Sequence, residues 1–112
     1  MVAEHLIELA DHSDGAERTA VLSTAHDALK PIGDDDARAA VARARIAELA
    51  EAPEAALAAV RAMCARFERD VFVHVQAAAM FERLNAPEEC RREQELVRLL
   101  APQTGGQTPA SP

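Results

Sequence analysis

Residues that break or begin helices occur at short intervals along this chain and limit the length of every element. Ser13-Asp14-Gly15 and Pro31-Ile32-Gly33 are turn sequences, and Asp70 is suited to cap a helix through its carboxylate. Pro53 and Pro87 each suit the first position of a helix, where the backbone N–H has no helical partner to lose. These breaks leave six segments of about 12–16 residues, an ordinary length for globular helices.

The residues between the breaks favour helix throughout. Alanine dominates, with Leu, Arg and Glu in support, and these side chains lose little rotamer freedom in a helix. Aromatic residues, which favour strands, make up 3% of the chain, and all of them are Phe (Phe67, Phe72 and Phe81). We therefore predict an all-α fold of about six helices.

Short turns force sequential helices to lie side by side, so the six helices are expected to form antiparallel hairpins. The predicted hairpins cover about 2–30, 34–68 and 70–101, within a single helical-repeat domain at 1–102. Asp34, Asp35 and Asp36 are expected to cap the third helix, where the helix dipole favours anions. Residues 103–112 lack apolar periodicity and are predicted to be a disordered tail.

A repeat is visible around two of the prolines. AEAPEAA and RLNAPEEC are alike, and the interval from Pro53 to Pro87 matches the period of tetratricopeptide repeats, about 34 residues. We call this interval the repeat period. Ala78 and Phe81 also fall on the small and aromatic positions of that repeat, and Asn85 takes its turn position. The chain resembles a divergent tetratricopeptide-repeat (TPR) protein.

The chain also departs from the TPR pattern. Arg43 and Ala47 replace large residues of the first helix in the middle repeat, and Arg91, Gln94 and Arg98 fall on usually apolar positions. Two arrangements of the hairpins therefore stay open, a right-handed TPR-like stack and a more compact helical bundle.

The resemblance implies a concave groove lined by the first helix of each pair. The residues placed there by the resemblance are Arg38, Val41, Arg45, Glu48, Leu49, Phe72, Val75, Ala79, Glu82 and Arg83. Such grooves bind a peptide or a partner's helix. For the apolar members Val41, Leu49, Phe72 and Val75, burial in the core is an equal alternative.

Charge and hydropathy exclude some classes of partner. A net charge of −7 disfavours binding to nucleic acid and to anionic membranes, because neither surface attracts an acidic protein. The N-terminus does not read as a signal peptide, and no run of apolar residues is long enough to span a membrane. The spacing of Cys64 and Cys90 matches no zinc or redox motif, so we predict two reduced thiols and a cytoplasmic location.

We find no sequence motif of a catalytic site or a cofactor. P-loop, GxSxG, HExxH, CxxC and dinucleotide-binding patterns are absent, so we expect neither an enzyme nor a cofactor. Ser23, His26 and Asp27 lie within one helical turn and cannot form the relay geometry of a catalytic triad.

Metal binding has one candidate in the sequence. His5, Glu8 and His12 share a helical face, but no second set of ligands faces them, so a solvated polar face is the prediction. His74 lies in the middle of a helix and is interpreted as a packing or groove residue. The metal-site prediction is therefore none.

These observations favour a protein–protein interaction module, an adaptor or accessory subunit of a larger complex. The expected partner is another protein, such as an enzyme or regulator, and a homo-oligomer is an alternative. Two other functions stay open. One is a small helical subunit that assists an enzyme or carries a metal on His5, Glu8 and His12. The other is a regulatory module acting in trans, because Ala56 to Pro102 resembles helical-repeat domains of bacterial transcriptional activators.

Overall fold

The computed structural model describes residues 2–100, and this part of the chain is all-α, as predicted. Six helices alternate with short turns: α1 Val2–Asp11, α2 Gly15–Leu29, α3 Ala37–Leu49, α4 Pro53–Arg66, α5 Val71–Arg83 and α6 Pro87–Leu100. The predicted disordered tail at 103–112 lies outside the described residues. None of the helices within 2–100 combines the length and the apolar character needed to cross a membrane.

The starts of α3 and α5 follow the capping chemistry expected from the sequence, whereas Asp14 precedes α2 without a side-chain capping bond. Asp36 accepts a hydrogen bond from the N–H of Ala39 at 3.0 Å, and Asp70 accepts one from Val73 at 3.3 Å. Each carboxylate satisfies one backbone donor that the first helical turn leaves unpaired. Of the Asp34–Asp36 run, Asp36 is the residue that caps α3.

The turns inside the second and third hairpins are built alike. Glu51 and Asn85 follow α3 and α5 with left-handed φ angles of 59° and 62°. The N–H groups of Ala52 and Ala86 each donate to the carbonyl oxygen five residues earlier, at 3.3 and 2.9 Å. Both turns are Schellman motifs, and their hydrogen bonds recur after one repeat period.

The helices pair and stack in chain order. α1 packs on α2, α3 on α4 and α5 on α6, so the predicted antiparallel hairpins are present. α3 also packs on both helices of the first hairpin, and α5 on both helices of the second. Within residues 2–100 the first and third hairpins do not touch, and the molecule is elongated, at 52 × 27 × 25 Å.

Two apolar clusters form the core, and α3 contributes to both. The first-hairpin cluster joins α1, α2 and α3, and includes Leu29 and Leu49. The second cluster joins α3 to α6, and includes Val41, Met80 and Phe81. Val41 and Leu49 are each 8% exposed. The placement of these two residues in an open groove is therefore corrected, because neighbouring hairpins cover them.

Arg43, at a position where the resemblance to TPR proteins predicts a large residue, forms hydrogen bonds to the first hairpin. Its Nη2 donates to the carbonyl oxygens of Leu29 at 3.1 Å and Ile32 at 2.5 Å. Leu29 is the last residue of α2 and Ile32 lies in the turn that follows, a region where the helix dipole favours a cation. Arg43 therefore fixes the end of the first hairpin against α3.

Candidate functional site

A chain of charged side chains crosses the first helices of the three hairpins. Glu48 of α3 accepts hydrogen bonds from Arg83 of α5 at 2.6 and 3.1 Å, and from Arg45 at 2.8 Å. Arg45 also lies 3.6 Å from a carboxylate oxygen of Asp11, which ends α1. Three of the predicted groove residues, Arg45, Glu48 and Arg83, therefore connect the hairpins to one another.

The surroundings of Glu48 keep its carboxylate ionised at neutral pH. Burial by itself raises the pKa of Glu48, but the hydrogen bonds from Arg83 and Arg45 outweigh it and lower the pKa below its ordinary value. The side chain of Glu48 is nearly buried, at 10% exposure. Its ionised form is therefore held between two guanidinium groups.

Among the other predicted groove residues, some form ion pairs and others have side chains exposed to solvent. Arg38 is bound by Glu4 of α1, with an Nε–Oε2 distance of 3.1 Å. Phe72 and Val75 on α5 are 40% and 45% exposed and present apolar surface to solvent. Ala79 is half-buried and Glu82 is exposed on the same helix.

An open groove of about 330 Å³ lies between α5 and α6. Its lining residues are Val75, Ala78, Ala79, Glu82, Gln94 and Val97. Three of them, Val75, Ala79 and Glu82, belong to the predicted partner-binding set. The positions of the turns in the sequence do not show that this groove is open, because its exposure depends on which helices pack beside α5 and α6.

The same positions in the preceding hairpin are covered. One repeat period before Val75, Ala78, Gln94 and Val97, the chain has Val41, Ala44, Val60 and Met63. These four are core residues that pack in one cluster with Val73, Ala77 and Met80 of α5. α5 therefore fills the groove of the second hairpin, whereas no helix within residues 2–100 fills the groove of the third.

A second feature is a buried polar cluster formed by α4, α5 and α6. Cys64, His74 and Glu93 are the group of ligand-type side chains in the described chain whose donor atoms all lie within 4.8 Å of one another. His74 and Glu93 are 2% and 5% exposed. His74 Nδ1 lies 2.5 Å from Glu93 Oε1, and the Cys64 thiol donates to the same oxygen at 3.4 Å.

Burial raises the pKa of the Cys64 thiol to about 12, and the nearby Glu93 carboxylate acts in the same direction. Without a cation beside it, this thiol is protonated at neutral pH and is a poor nucleophile. Cys64 and Cys90 are both free, as predicted.

The cluster lies at the wall of a cleft of about 570 Å³. The cleft is also lined by Leu96, Leu99 and Leu100 of α6. Leu99 is 61% exposed, so the opening is apolar and accessible to solvent.

The sequence analysis did not group these three residues. Cys64 was interpreted as a core thiol and His74 as a packing or groove residue, and Glu93 was not singled out. One signal was present, because Glu93 shares a helical face with Cys90 and Val97, where a carboxylate is out of place. The sequence contains no spacing motif for them, since they come from three separate helices.

The earlier candidates for chemistry are exposed. His5 and Glu8 lie on the solvent side of α1, and His12 follows its end. Ser23, His26 and Asp27 are all exposed on α2, and Asp27 pairs with Lys30 at 3.2 Å.

The described residues define an all-α protein of three helical hairpins packed in chain order. Comparisons of the chain with protein-family models, with curated proteins and with solved structures found no match.

Proposed function

We propose that this chain is a TPR-like interaction module that binds a helix of a partner protein in the groove between α5 and α6. The observation that carries the proposal is the uncovered groove itself. The equivalent groove of the second hairpin is filled by α5, and its lining residues there are core. Helical-hairpin arrays bury their apolar faces by stacking, so an unfilled groove is a site for a further helix.

The hydrogen-bonded turns support the repeat interpretation. Helix caps at Asp36 and Asp70, and Schellman turns at Glu51 and Asn85, each recur after one repeat period. The groove between α5 and α6 is thus the position of the next helix in the series. Within residues 101–112 the apolar residues are Ala101 and Ala110 alone, so that segment lacks an apolar helical face to fill the groove.

α5 shows what kind of helix fits. It fills the second hairpin's groove with Val73, Ala77 and Met80, and its Arg83 binds Glu48. Glu82 is the equivalent of Glu48 in the open groove. The partner helix is therefore expected to carry apolar residues at i, i+4 and i+7, and an Arg or Lys at i+10 that pairs with Glu82.

The proposal gives the chain the role of an adaptor or accessory subunit with no reaction of its own. The cytoplasm remains the proposed compartment, since two unpaired cysteines suit a reducing environment.

The test places a photo-crosslinking amino acid at Val75 and, as a control, at Leu9, which is 52% exposed on α1. We expect residue 75 to crosslink to a helix of one stoichiometric partner, and residue 9 not to do so. Crosslinking of both positions to the same mixture of proteins, or of neither position, would contradict the proposal.

Binding of the identified partner is then measured with purified proteins. Val75→Glu and Glu82→Arg are expected to weaken binding by about tenfold or more, since each change is worth at least about 1.4 kcal/mol at a buried contact. The controls Leu9→Glu and Glu8→Arg are expected to leave the affinity unchanged. Equal affinities for all four variants would place the interface elsewhere on the molecule.

A further inference from the structure

A backbone carbonyl group determines which ring nitrogen of His74 donates a hydrogen bond. The carbonyl oxygen of Glu68 lies 2.6 Å from His74 Nε2 and is able only to accept a hydrogen bond. Nε2 therefore carries a proton and donates it to this carbonyl. The other ring nitrogen, Nδ1, points its lone pair or a second proton at Glu93 Oε1, 2.5 Å away.

Two acceptors that face each other in a buried site need a cation between them. The choice is a proton or a metal ion, and the third side chain of the cluster bears on this choice. The Sγ of Cys64 lies 3.4 Å from the same Glu93 oxygen, which adds a soft donor to the imidazole nitrogen and the carboxylate. In the protonated cluster the Cys64 thiol donates one weak hydrogen bond to the same Glu93 oxygen, whereas a metal ion would bind all three donor atoms directly.

We propose that Cys64 Sγ, His74 Nδ1 and Glu93 Oε1 form a site for one Zn²⁺ ion. Mixed sulfur, nitrogen and oxygen donors select zinc over magnesium or calcium, which require oxygen ligands. The hydrogen bond from Nε2 to the Glu68 carbonyl is the outer contact that orients a metal-binding histidine.

Two of the three ligand–ligand distances fit a tetrahedral ion after a small adjustment, and the third, between Cys64 and His74, is within 4.8 Å. Zinc bond lengths separate a sulfur ligand from an oxygen ligand by about 3.6 Å, and a nitrogen ligand from an oxygen ligand by about 3.3 Å. The Cys64–Glu93 distance of 3.4 Å is already close to the first value. The His74–Glu93 distance of 2.5 Å has to widen by about 0.8 Å, which a small rotation of the carboxylate provides.

The charges balance when the ion binds. The thiol of Cys64 loses its proton to solvent, and the ion takes the place of any proton between His74 Nδ1 and Glu93 Oε1. A thiolate and a carboxylate then neutralise Zn²⁺, while the imidazole is a neutral ligand. Burial opposes an isolated thiolate but not a neutral metal complex.

The fourth coordination position faces the cleft. The cleft is lined by the three ligands together with Leu96, Leu99 and Leu100, and it gives the ion a route from solvent. With three protein ligands, the site keeps one position for water or for a donor atom of another molecule. The metal would also tie together the helices α4, α5 and α6, which end the described array.

The test uses the full chain freed of metal by a chelator and then titrated with Zn²⁺ and, in parallel, with Co²⁺. We expect one ion per chain, an increase in Tm on binding, and the ultraviolet charge-transfer band of a Co²⁺–thiolate bond. Cys64→Ala is expected to remove the band and to weaken binding at least about 100-fold, the upper range for losing even an outer-shell partner.

Matched variants separate this site from others. Cys90→Ala removes the other thiol, and a His5→Ala/His12→Ala double variant removes the exposed imidazoles of the first hairpin; both are expected to bind as the original chain does. Glu93→Gln checks the carboxylate, with circular dichroism confirming that the helices persist. Failure to bind one ion per chain, or binding that is lost in the His5/His12 variant and kept in Cys64→Ala, would overturn the proposal.

Discussion

At the scale of single residues, the most informative side chain is Glu48. It is nearly buried, it belongs to α3, and it accepts hydrogen bonds from Arg45 and from Arg83 of the next hairpin. Ion pairs on an open surface contribute little to stability, but charge-assisted hydrogen bonds to a nearly buried carboxylate contribute more. Glu48, which was predicted to line the groove, therefore links the second hairpin to the third through its hydrogen bonds.

Replacing Glu48 with Gln tests this role. We expect the free energy of unfolding to fall by about 1–2 kcal/mol at pH 7, because two guanidinium groups lose their anionic partner. The pKa of Glu48 is lowered in the folded state, so its contribution is present above the ordinary value of 4.5 and is lost as the pH falls through the lower, folded value. Urea unfolding at pH 7 and at several pH values below 4.5 measures this.

The matched control for Glu48 is Glu82→Gln, at the exposed equivalent position one repeat period later. This control is expected to change stability by less than about 0.5 kcal/mol. The Glu48→Gln variant and the original chain should converge in acid. A difference that stays constant from pH 7 to pH 3 would show that the ionised carboxylate is not what matters.

At the scale of helices, the ends are fixed by side chains from other elements as well as by local caps. Asp36 and Asp70 cap their own helices, and these two caps follow from the sequence. The end of α2 is instead held by Arg43, which comes from α3. That contact could not be predicted from the sequence, because it depends on how α3 packs against the end of the first hairpin. In the sequence analysis, Arg43 was identified only as a departure from the apolar residue expected there.

Arg43→Met places an apolar side chain where the TPR resemblance predicts one. This variant tests whether apolar packing or the two hydrogen bonds of Arg43 contribute more to stability. We expect a loss of about 1–2 kcal/mol, because the carbonyls of Leu29 and Ile32 lose a charged donor at a helix C-terminus. Arg91→Met is the control, at an exposed position of α6 that also departs from the pattern. If Arg43→Met is more stable than the original chain, apolar packing at this position contributes more to the free energy of unfolding than the two hydrogen bonds do.

At the scale of the whole molecule, stability is expected to be distributed between two core clusters. Contacts run only between successive hairpins within residues 2–100, as in arrays whose units stabilise their neighbours. Leu29 belongs to the first-hairpin cluster and Met80 to the cluster of α3 to α6. Both side chains are fully buried, which makes them a matched pair for testing the two regions.

Leu29→Ala and Met80→Ala are each expected to reduce stability by about 3 kcal/mol through the cavity they leave. Native-state hydrogen exchange should then separate them. Leu29→Ala is expected to accelerate exchange mainly in α1 to α3, and Met80→Ala mainly in α3 to α6, because local opening follows the weakened cluster. Equal acceleration in all six helices for both variants would mean that the array opens as one unit.

The sequence by itself determined the six helices and their pairing. Local backbone chemistry explains the helix starts at Pro53, at Pro87 and at the capping aspartates. Short turns then require each helix to pack beside the one before it. Local rules of this kind operate within a few residues, so they are readable without a structure.

The tertiary structure decided what each face does. Val41 and Val75 are equivalent in sequence, yet the first is core because α5 covers it, and the second is exposed because no described helix does. Cys64, His74 and Glu93 likewise come together only when three helices pack. Exposure and side-chain convergence depend on neighbours distant in sequence, and helical periodicity indicates which residues share a face but not what that face meets.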